Sequence, residues 1–256
     1  MTSRGANVVV NRLISVATPL LLLAAWEVAA RTHAIDTRFF SSPTRIFAQF
    51  WLMLSDGELL YHTMATVTRI LIGFFIGTTV GIVLGLAIGL IPTVSAALQP
   101  LVDATFPIPK VGLLPLVIIL FGIGEASKYA IIAISVVYLV IINTAAGVRQ
   151  IERIYLDVGR NYHASRLMMF TDVALPGALP SIVTGMKVSM GVSLIVIVTA
   201  ESLAAKSGIG YLIWTSWQVF EVEKMYVGLF VTAILGFAAS LLLDFTERRL
   251  IPWKRS

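Results

Sequence analysis

The chain of 256 residues contains no cysteine. This excludes a thiol nucleophile, a cysteine-ligated zinc site and a palmitoylated anchor. Charged residues are also scarce, at 13% of the chain, whereas a soluble domain has about 25%. A water-soluble fold of this length would lack the charge to cover its surface, so the composition disfavours one.

The common catalytic motifs are missing as well. No Gly-Lys dipeptide occurs, so the chain cannot form the phosphate-binding loop of an ATPase. The three histidines, His33, His62 and His163, are far apart and lack metal-ligand spacing, and no Gly-x-Ser-x-Gly elbow is present. We therefore expect no cofactor on this chain and disfavour a membrane enzyme. If ATP drives the protein, a separate subunit must hydrolyse it.

Apolar residues, by contrast, make up 57% of the chain, and the mean hydropathy is +0.89. A helix needs about 20 apolar residues to cross the hydrocarbon of a bilayer. The sequence predicts an all-α integral membrane protein with six transmembrane helices, over residues 13–30, 70–102, 111–124, 129–148, 188–200 and 225–243. The third and the fifth are short, so their ends are the least defined.

The basic residues lie unevenly around these helices. If the amino terminus is cytoplasmic, 12 of the 19 Lys and Arg residues lie on the cytoplasmic side, as the positive-inside rule requires. This predicts a multi-pass membrane protein with cytoplasmic segments at residues 1–12 and 246–256. The net charge of +5 then reflects topology and not nucleic-acid binding.

Glycines recur at every fourth residue of the second predicted helix, at Gly73, Gly77, Gly81, Gly85 and Gly89. Four residues are slightly more than one helical turn, so these glycines form a stripe where another backbone can approach closely. The stripe predicts static helix packing, which is the commoner use of such a pattern, or a surface that slides during gating.

The segment between the fourth and the fifth predicted helices is amphipathic, unlike the apolar spans on either side. Apolar residues there follow the spacing of one helix face, at Ile151, Ile154, Tyr155, Val158 and Tyr162. A second short helix is predicted over residues 165–171, with Ser165 as its cap. An apolar face outside the membrane needs a cover, which is either the lipid headgroup region or a groove in a soluble partner.

This segment contains DVGRNYHAS at residues 157–165 and VALPGALP at residues 173–180. The two runs resemble the EAA loop of binding-protein-dependent ABC importer permeases. Other motifs, in the same order, are similar to the nitrate/sulfonate/taurine-type permeases of that family: TRILIGF at 68–74, PIPKVGLLP at 107–115, FGIGE at 121–125, NTAAG at 143–147, Glu201, GIGYLI at 208–213 and ERRLIPW at 247–253. The resemblance covers residues 13–253.

The resemblance implies the MetI-like fold of type I importer permeases, with the transmembrane domain at residues 60–245 and a coupling loop at residues 149–172. It also implies a homodimer, two cytoplasmic ATPase subunits that bind ATP and Mg, and an external substrate-binding protein. The residues that it assigns to ATPase coupling are Asp157, Val158, Gly159, Tyr162, His163, Ala164, Ser165 and Arg166.

Four positions depart from the family pattern. Asp157 stands where the family has Glu, Val158 and Gly159 stand where it has two alanines, and His163 stands where it has Gly. Glycine suits a left-handed residue between two helices, and His is less averse to that conformation than most residues. We expect either that the turn is kept with some strain or that it takes another shape. A contact of His163 with the ATPase that responds to pH is the remaining alternative.

Polar residues inside the predicted helices are the candidates for a substrate path. They are Ser135, Tyr138, Asn143, Ser189, Ser193 and Glu201. Hydroxyls in such helices more often form hydrogen bonds that support helix packing. The charged residues near helix ends, Glu27, Lys187 and Glu201, are likewise candidates for a polar contact between helices or for a role in transport.

Together these features predict the permease subunit of an ATP-driven importer for a small anion, of the sulfonate, nitrate, taurine or organic carboxylate class. The first alternative is the same class of importer with a vitamin precursor or another non-anionic cargo. An ion-coupled secondary transporter is disfavoured, because no inverted internal repeat is visible.

Overall fold

The computed structural model describes residues 3–252, except for the side chains of residues 3–13, 16, 153, 156, 160 and 166. The described residues form helices and contain no strand. In chain order the helices are α1 (Ser3–Arg31), α2 (Thr37–Phe40), α3 (Pro43–Ser55), α4 (Glu58–Leu90), α5 (Pro92–Thr105), α6 (Leu114–Phe121), α7 (Glu125–Arg149), α8 (Arg153–Asn161), α9 (Arg166–Met168), α10 (Leu175–Ala204), α11 (Ile209–Gln218) and α12 (Val222–Leu250). A 3₁₀ turn at Lys110–Leu113 precedes α6, and a π-helical segment at Met169–Ala174 precedes α10.

Four of the described helices are long and apolar enough to cross a membrane: α4, α7, α10 with its π-helical segment, and α12. The pair α5 and α6 meets at 93° and adds a fifth crossing if it forms one broken span. These helices confirm the all-α membrane fold. The predicted first span lies within α1, so the count of six depends on that helix and stays a prediction.

The uncharged run at residues 70–102, predicted as the second span, is wrong at both ends, whereas residues 62–90, which resemble the second span of the family's permeases, lie within α4. The helix begins at Glu58 and ends at Leu90, and a new helix begins at Pro92. Proline lacks an N–H and pushes the residue before it out of the helical conformation. Ile91 accordingly has an extended backbone, with φ −113° and ψ 106°.

The predicted fifth span, residues 188–200, is too short. Lys187 and Glu201, which bounded the prediction, both lie inside α10. Lys187 pairs with two carboxylates of α12, and Glu201 pairs with Arg69 of α4. A charged residue does not end a helix when a neighbouring helix supplies its counter-ion.

Three shorter helices, α2, α3 and α11, lie outside every predicted span. Two of them begin with a side-chain cap. Asp36 accepts a hydrogen bond from the Arg38 N–H at 3.0 Å, and Ser42 accepts one from the Arg45 N–H at 3.4 Å. Pro43 occupies the first turn of α3, where a missing N–H costs nothing. A search for runs of 20 apolar residues does not detect helices of this length.

The two ends of α7 mark the two sides of the helix bundle. We call them the Glu125 side and the α8 side, because α8 follows the other end at Arg149. The main core lies between α4, α6, α7 and α10. Its fully buried side chains include Ile131, Ile132, Val136, Val140 and Ile197.

The glycine stripe of α4 faces α7 along most of the length of both helices. A methyl group at Gly73 would collide with Ile132, and one at Gly89 would collide with Val148. Gly77, between them, lies against the Ala133 backbone. The missing side chains thus allow the two backbones to approach closely over about four helical turns.

We expect Gly77→Ala to lower the free energy of unfolding by about 1–3 kcal/mol, as overpacking does. The new methyl group would lie 2.7 Å from the Ala133 carbonyl oxygen and 2.7 Å from the Val136 Cβ atom. Gly191→Ala is the matched control, because nothing lies within 4 Å of that position in α10. The thermal unfolding midpoints of the purified proteins in detergent test this. Equal midpoints would contradict the close packing of α4 on α7.

Candidate functional site: a buried ion network and an exposed loop helix

Arg69 lies three turns inside α4 and is 3% exposed. Its Nε and Nη2 atoms donate to the two carboxylate oxygens of Glu125, each at 2.7 Å. Its Nη1 atom donates to Glu201 at 2.8 Å and to the Ser207 carbonyl at 2.7 Å. Nη2 also donates to the Ser207 hydroxyl at 2.9 Å. All five N–H groups of the guanidinium therefore have acceptors.

Glu201 is fully buried and holds the turn between α10 and α11. Besides Arg69, its carboxylate accepts from the Thr66 hydroxyl at 2.9 Å and from the Gly210 N–H at 3.0 Å. The Thr66 oxygen in turn accepts from the Ile209 N–H at 2.8 Å. Two side chains thus satisfy backbone N–H groups at the start of α11, which has no side-chain cap.

Gly208, the residue before α11, is also bound to α4. The Gly208 N–H donates to Nδ1 of His62 at 3.1 Å. Gly208 has φ +109°, and a Cβ atom there would collide with the Glu201 carboxylate. Glycine is required here for its backbone conformation and for the space that the carboxylate occupies.

The charges of this network balance. Lys128, in the first turn of α7, is buried, donates to the Gly124 carbonyl at 2.9 Å and lies 4.0 Å from Glu125. Two cations and two carboxylates therefore lie together, as buried charges require. The network joins α4, α7, α10 and the start of α11 on the Glu125 side. Sequence analysis missed Arg69, because charges were treated as the limits of membrane helices.

The predicted path residues have other contacts in the structure. Ser135, Ser189 and Ser193 are fully enclosed, and each hydroxyl donates to a carbonyl of its own helix. The Asn143 amide donates to the Leu139 carbonyl at 2.8 Å. The polar groups of these four residues are therefore bonded to carbonyls of their own helices. Glu201 belongs to the ion network. Tyr138 lies beside the break between α5 and α6.

The other two charged candidates also make contacts between helices. Glu27 of α1 accepts from the Thr44 N–H and hydroxyl, at 3.1 and 2.9 Å, and from Arg31 at 2.7 Å. Lys187 of α10 pairs with Asp244 and Glu247 of α12. A polar contact between helices is one of the two roles that the sequence predicts for these residues, and the observed contacts agree with it.

The coupling segment presents its apolar face to solvent. Ile154, Tyr155, Val158 and Tyr162 are all exposed, with 84% of Tyr162 accessible, and Asp157 is exposed as well. Gly159 is buried instead, and a side chain there would collide with Met169. The side chain of Arg166 lies outside the described residues. The rest of the chain therefore leaves this apolar face uncovered.

His163 keeps the turn that the family pattern assigns to glycine. Its φ is 51°, in the left-handed region, and the Ala164 N–H donates to the Gly159 carbonyl at 2.9 Å. This is the bond that closes a Schellman motif at the end of a helix. Ser165 then caps the next helix, accepting from the Met168 N–H at 3.2 Å. The first of the two expectations for His163 is confirmed.

Removal of the buried carboxylate should be far more harmful than removal of the exposed one. Glu201→Ala leaves the two buried cations, Arg69 and Lys128, with Glu125 as their one carboxylate, and we expect this excess buried charge to cost about 3–5 kcal/mol of stability. Glu125→Ala should cost less, because the Glu125 side chain is 51% exposed and water can replace it. Thermal unfolding of both variants in detergent tests this, and a larger loss for Glu125→Ala would refute the assignment.

Comparison with known proteins agrees with this architecture. Residues 59–255 match the family model described as the binding-protein-dependent transport system inner membrane component. A chain of the MetNI methionine ABC transporter, in inward-facing conformations, superposes with a TM-score of 0.68 at 15% identity. That alignment covers 79% of this chain and 98% of the other, which confirms the fold of a type I importer permease.

Curated relatives match over most of their length. SsuC of Escherichia coli K12, named as an aliphatic sulfonates transport permease protein, is 35% identical over 92% of this chain and 89% of its own. The taurine transport system permease protein TauC of the same organism is 33% identical over 94% and 89%. The riboflavin transport system permease protein RibX of Chloroflexus aurantiacus is 32% identical over 93% and 89%. The chain therefore belongs to the family of binding-protein-dependent inner membrane transport components and is the permease subunit of an ABC importer.

Proposed function

We propose that two copies of this chain form the membrane path of an importer that carries a small anion into the cytoplasm by alternating access. A permease subunit is not itself an enzyme. In this proposal two cytoplasmic ATPase subunits bind ATP and Mg and drive the change, and an external binding protein delivers the cargo. Asp157, Val158, Gly159, Tyr162, His163, Ala164, Ser165 and Arg166 form the surface that meets the ATPase.

The exposed apolar face of α8 is the observation that carries the coupling role. Tyr155 and Tyr162 are 60% and 84% exposed, although both are large aromatic residues. Aromatic side chains at a surface are typical anchors of protein interfaces. Gly159 packs α8 against Met169, which leads through the π-helical segment into α10. A force on α8 therefore reaches a membrane helix through direct contact.

The orientation of the chain follows from the same segment. An ATPase is cytoplasmic, so the α8 side of the bundle faces the cytoplasm and the Glu125 side faces outward. The basic residues support this, since 11 of the 19 Lys and Arg residues then lie toward the cytoplasmic side. Lys110 is not among them, because it lies at the break between α5 and α6. Both termini, residues 1–12 and 246–256, are cytoplasmic in this arrangement.

The cargo class rests on the relatives. SsuC and TauC are named for aliphatic sulfonates and taurine, which carry a sulfonate group. RibX is named for riboflavin, which is neutral, and a neutral or vitamin-like cargo is the second candidate. Two of these three relatives are named for a sulfonated cargo, which favours the anion.

Tyr162→Ser should abolish coupling without harming the fold. The ring makes little contact within the chain, so stability should be unchanged, whereas loss of an interface anchor weakens binding by about tenfold or more. The measurement is recovery of the ATPase subunit with tagged permease and transport-dependent ATP hydrolysis in liposomes. Asn161→Ser, at the neighbouring exposed position, is the control. Full coupling in Tyr162→Ser would contradict the docking role of this face.

A panel of labelled cargoes should separate the two cargo classes. We expect cells that carry the complete importer to take up ethanesulfonate or nitrate at least tenfold faster than riboflavin. The control is the same strain with the Tyr162→Ser permease, in which uptake should fall to background. Uptake of riboflavin alone would overturn the anion proposal and leave the permease function intact.

A further inference from the structure

The crossing formed by α5 and α6 is broken near the middle of the bundle. Val102 of α5 packs with Ile141 and Ala145, in the half of α7 that leads to the α8 side. Leu114 of α6 packs with Ile131, in the half that begins at Glu125. The two helices meet at 93°. The break contains Pro107 and Pro109, which cannot donate the hydrogen bonds of a continuous helix.

Lys110 follows this break directly and turns back toward it. Its ammonium group donates to the carbonyls of Thr105, Phe106 and Ile108 at 3.1, 2.9 and 3.0 Å. It also lies 4.0 Å from the ring centroid of Tyr138, a cation–π distance. Tyr138 is the fourteenth residue of the 25-residue α7, so the ammonium lies near half the height of the bundle.

The contacts of Lys110 leave its charge without a counter-ion. In the part of the chain that the structure describes, Arg69, Lys128 and Lys187 all lie beside carboxylates. No carboxylate there pairs with Lys110, whose partners are neutral carbonyls and an aromatic ring. A positive charge at mid-membrane is costly and typically marks an ion or substrate path.

The residues just before Lys110 lie at the surface of the single chain. Phe106 and Ile108 are exposed in the single chain, at 41% and 42%, and Pro107 and Pro109 are exposed as well. The amino-terminal end of α6, which carries a partial positive charge, points to the same region. Broken helices near the membrane midplane are a common way to build such a site.

The geometry points to Lys110 as the group that binds the anion of the cargo at the midpoint of its path, with Tyr138 positioning the ammonium. This inference rests on the proposed anion importer and adds a site to it. A purely structural role, in which Lys110 only satisfies the carbonyls at the end of α5, is the competing explanation. The two roles differ in whether the positive charge itself is needed.

Lys110→Gln separates them, because an amide can still donate to a carbonyl but carries no charge. We expect ethanesulfonate and nitrate uptake to fall at least tenfold in Lys110→Gln and to stay within about twofold of wild type in Lys110→Arg. The unfolding midpoint of Lys110→Gln should stay near that of wild type. Lys206→Gln, which removes an exposed lysine between α10 and α11, is the control and should not affect uptake.

A second measurement tests the role of the Lys110 charge even if Lys110→Gln folds poorly. The chain has no cysteine, so Lys110→Cys provides a single thiol. Reaction with aminoethyl methanethiosulfonate restores an ammonium group, and we expect it to recover anion uptake at least fivefold. Reaction with the negatively charged sulfonatoethyl reagent should leave uptake at background. Wild-type chain treated in the same way controls for thiols on partner subunits.

The outcomes separate the two levels of the proposal. Anion uptake that survives in Lys110→Gln, or that both thiol reagents restore equally, would overturn the role of the Lys110 charge and leave the anion importer standing. Uptake of riboflavin alone by the wild type would overturn the anion cargo and this site with it. Loss in Lys110→Gln together with recovery by the aminoethyl reagent alone supports both.

Discussion

A guanidinium buried among membrane helices determines how this bundle is joined on the Glu125 side. Arg69 is 3% exposed, so protein groups accept all five of its hydrogen bonds. The acceptors are Glu125, Glu201 and Ser207, which belong to three different segments of the chain. The positions of α7, α10 and the turn before α11 relative to α4 therefore depend on one side chain.

The glycine stripe makes the same arrangement possible along the rest of α4. Because the five glycines of the stripe have no side chains, α7 approaches closely enough for its own β-branched residues to fill the contact. Packing of this kind is the main attraction between helices in lipid, where apolar burial gives little advantage. The ion network positions the helices on the Glu125 side. The glycine stripe continues the contact between α4 and α7 to the α8 side.

We assign function to two features that the described part of the chain leaves without a full set of partners. The face of α8 exposes Tyr155 and Tyr162, and Lys110 has a charge that no described carboxylate balances. Other polar groups of the spans have partners, as Ser135 and Ser189 do in carbonyls of their own helices, whereas the buried hydroxyls of Thr78 and Thr144 have none among the described residues. A transporter must bind partners and cargo, so incomplete satisfaction at these two places is physically consistent with its work.

Composition determined the solvent and the helical class, and local spacing predicted the amphipathic helix that follows residue 150. The family was indicated by the resemblance of several short motifs in the same order. These features can be recognised in a single segment without its neighbours in the fold. Even the left-handed turn at His163 was foreseeable, since it depends only on local backbone preference. Only the tertiary structure decided where the helices begin and end, because the limits at residues 188–200 fell on Lys187 and Glu201, whose counter-ions lie on distant helices. It also decided that Ser135, Ser189 and Ser193 support packing, and that Arg69 lies inside the bundle. The ion pairs of Arg69 join residues 56 and 132 positions apart, and such separations leave no local pattern, so the network on the Glu125 side could only be read from the fold.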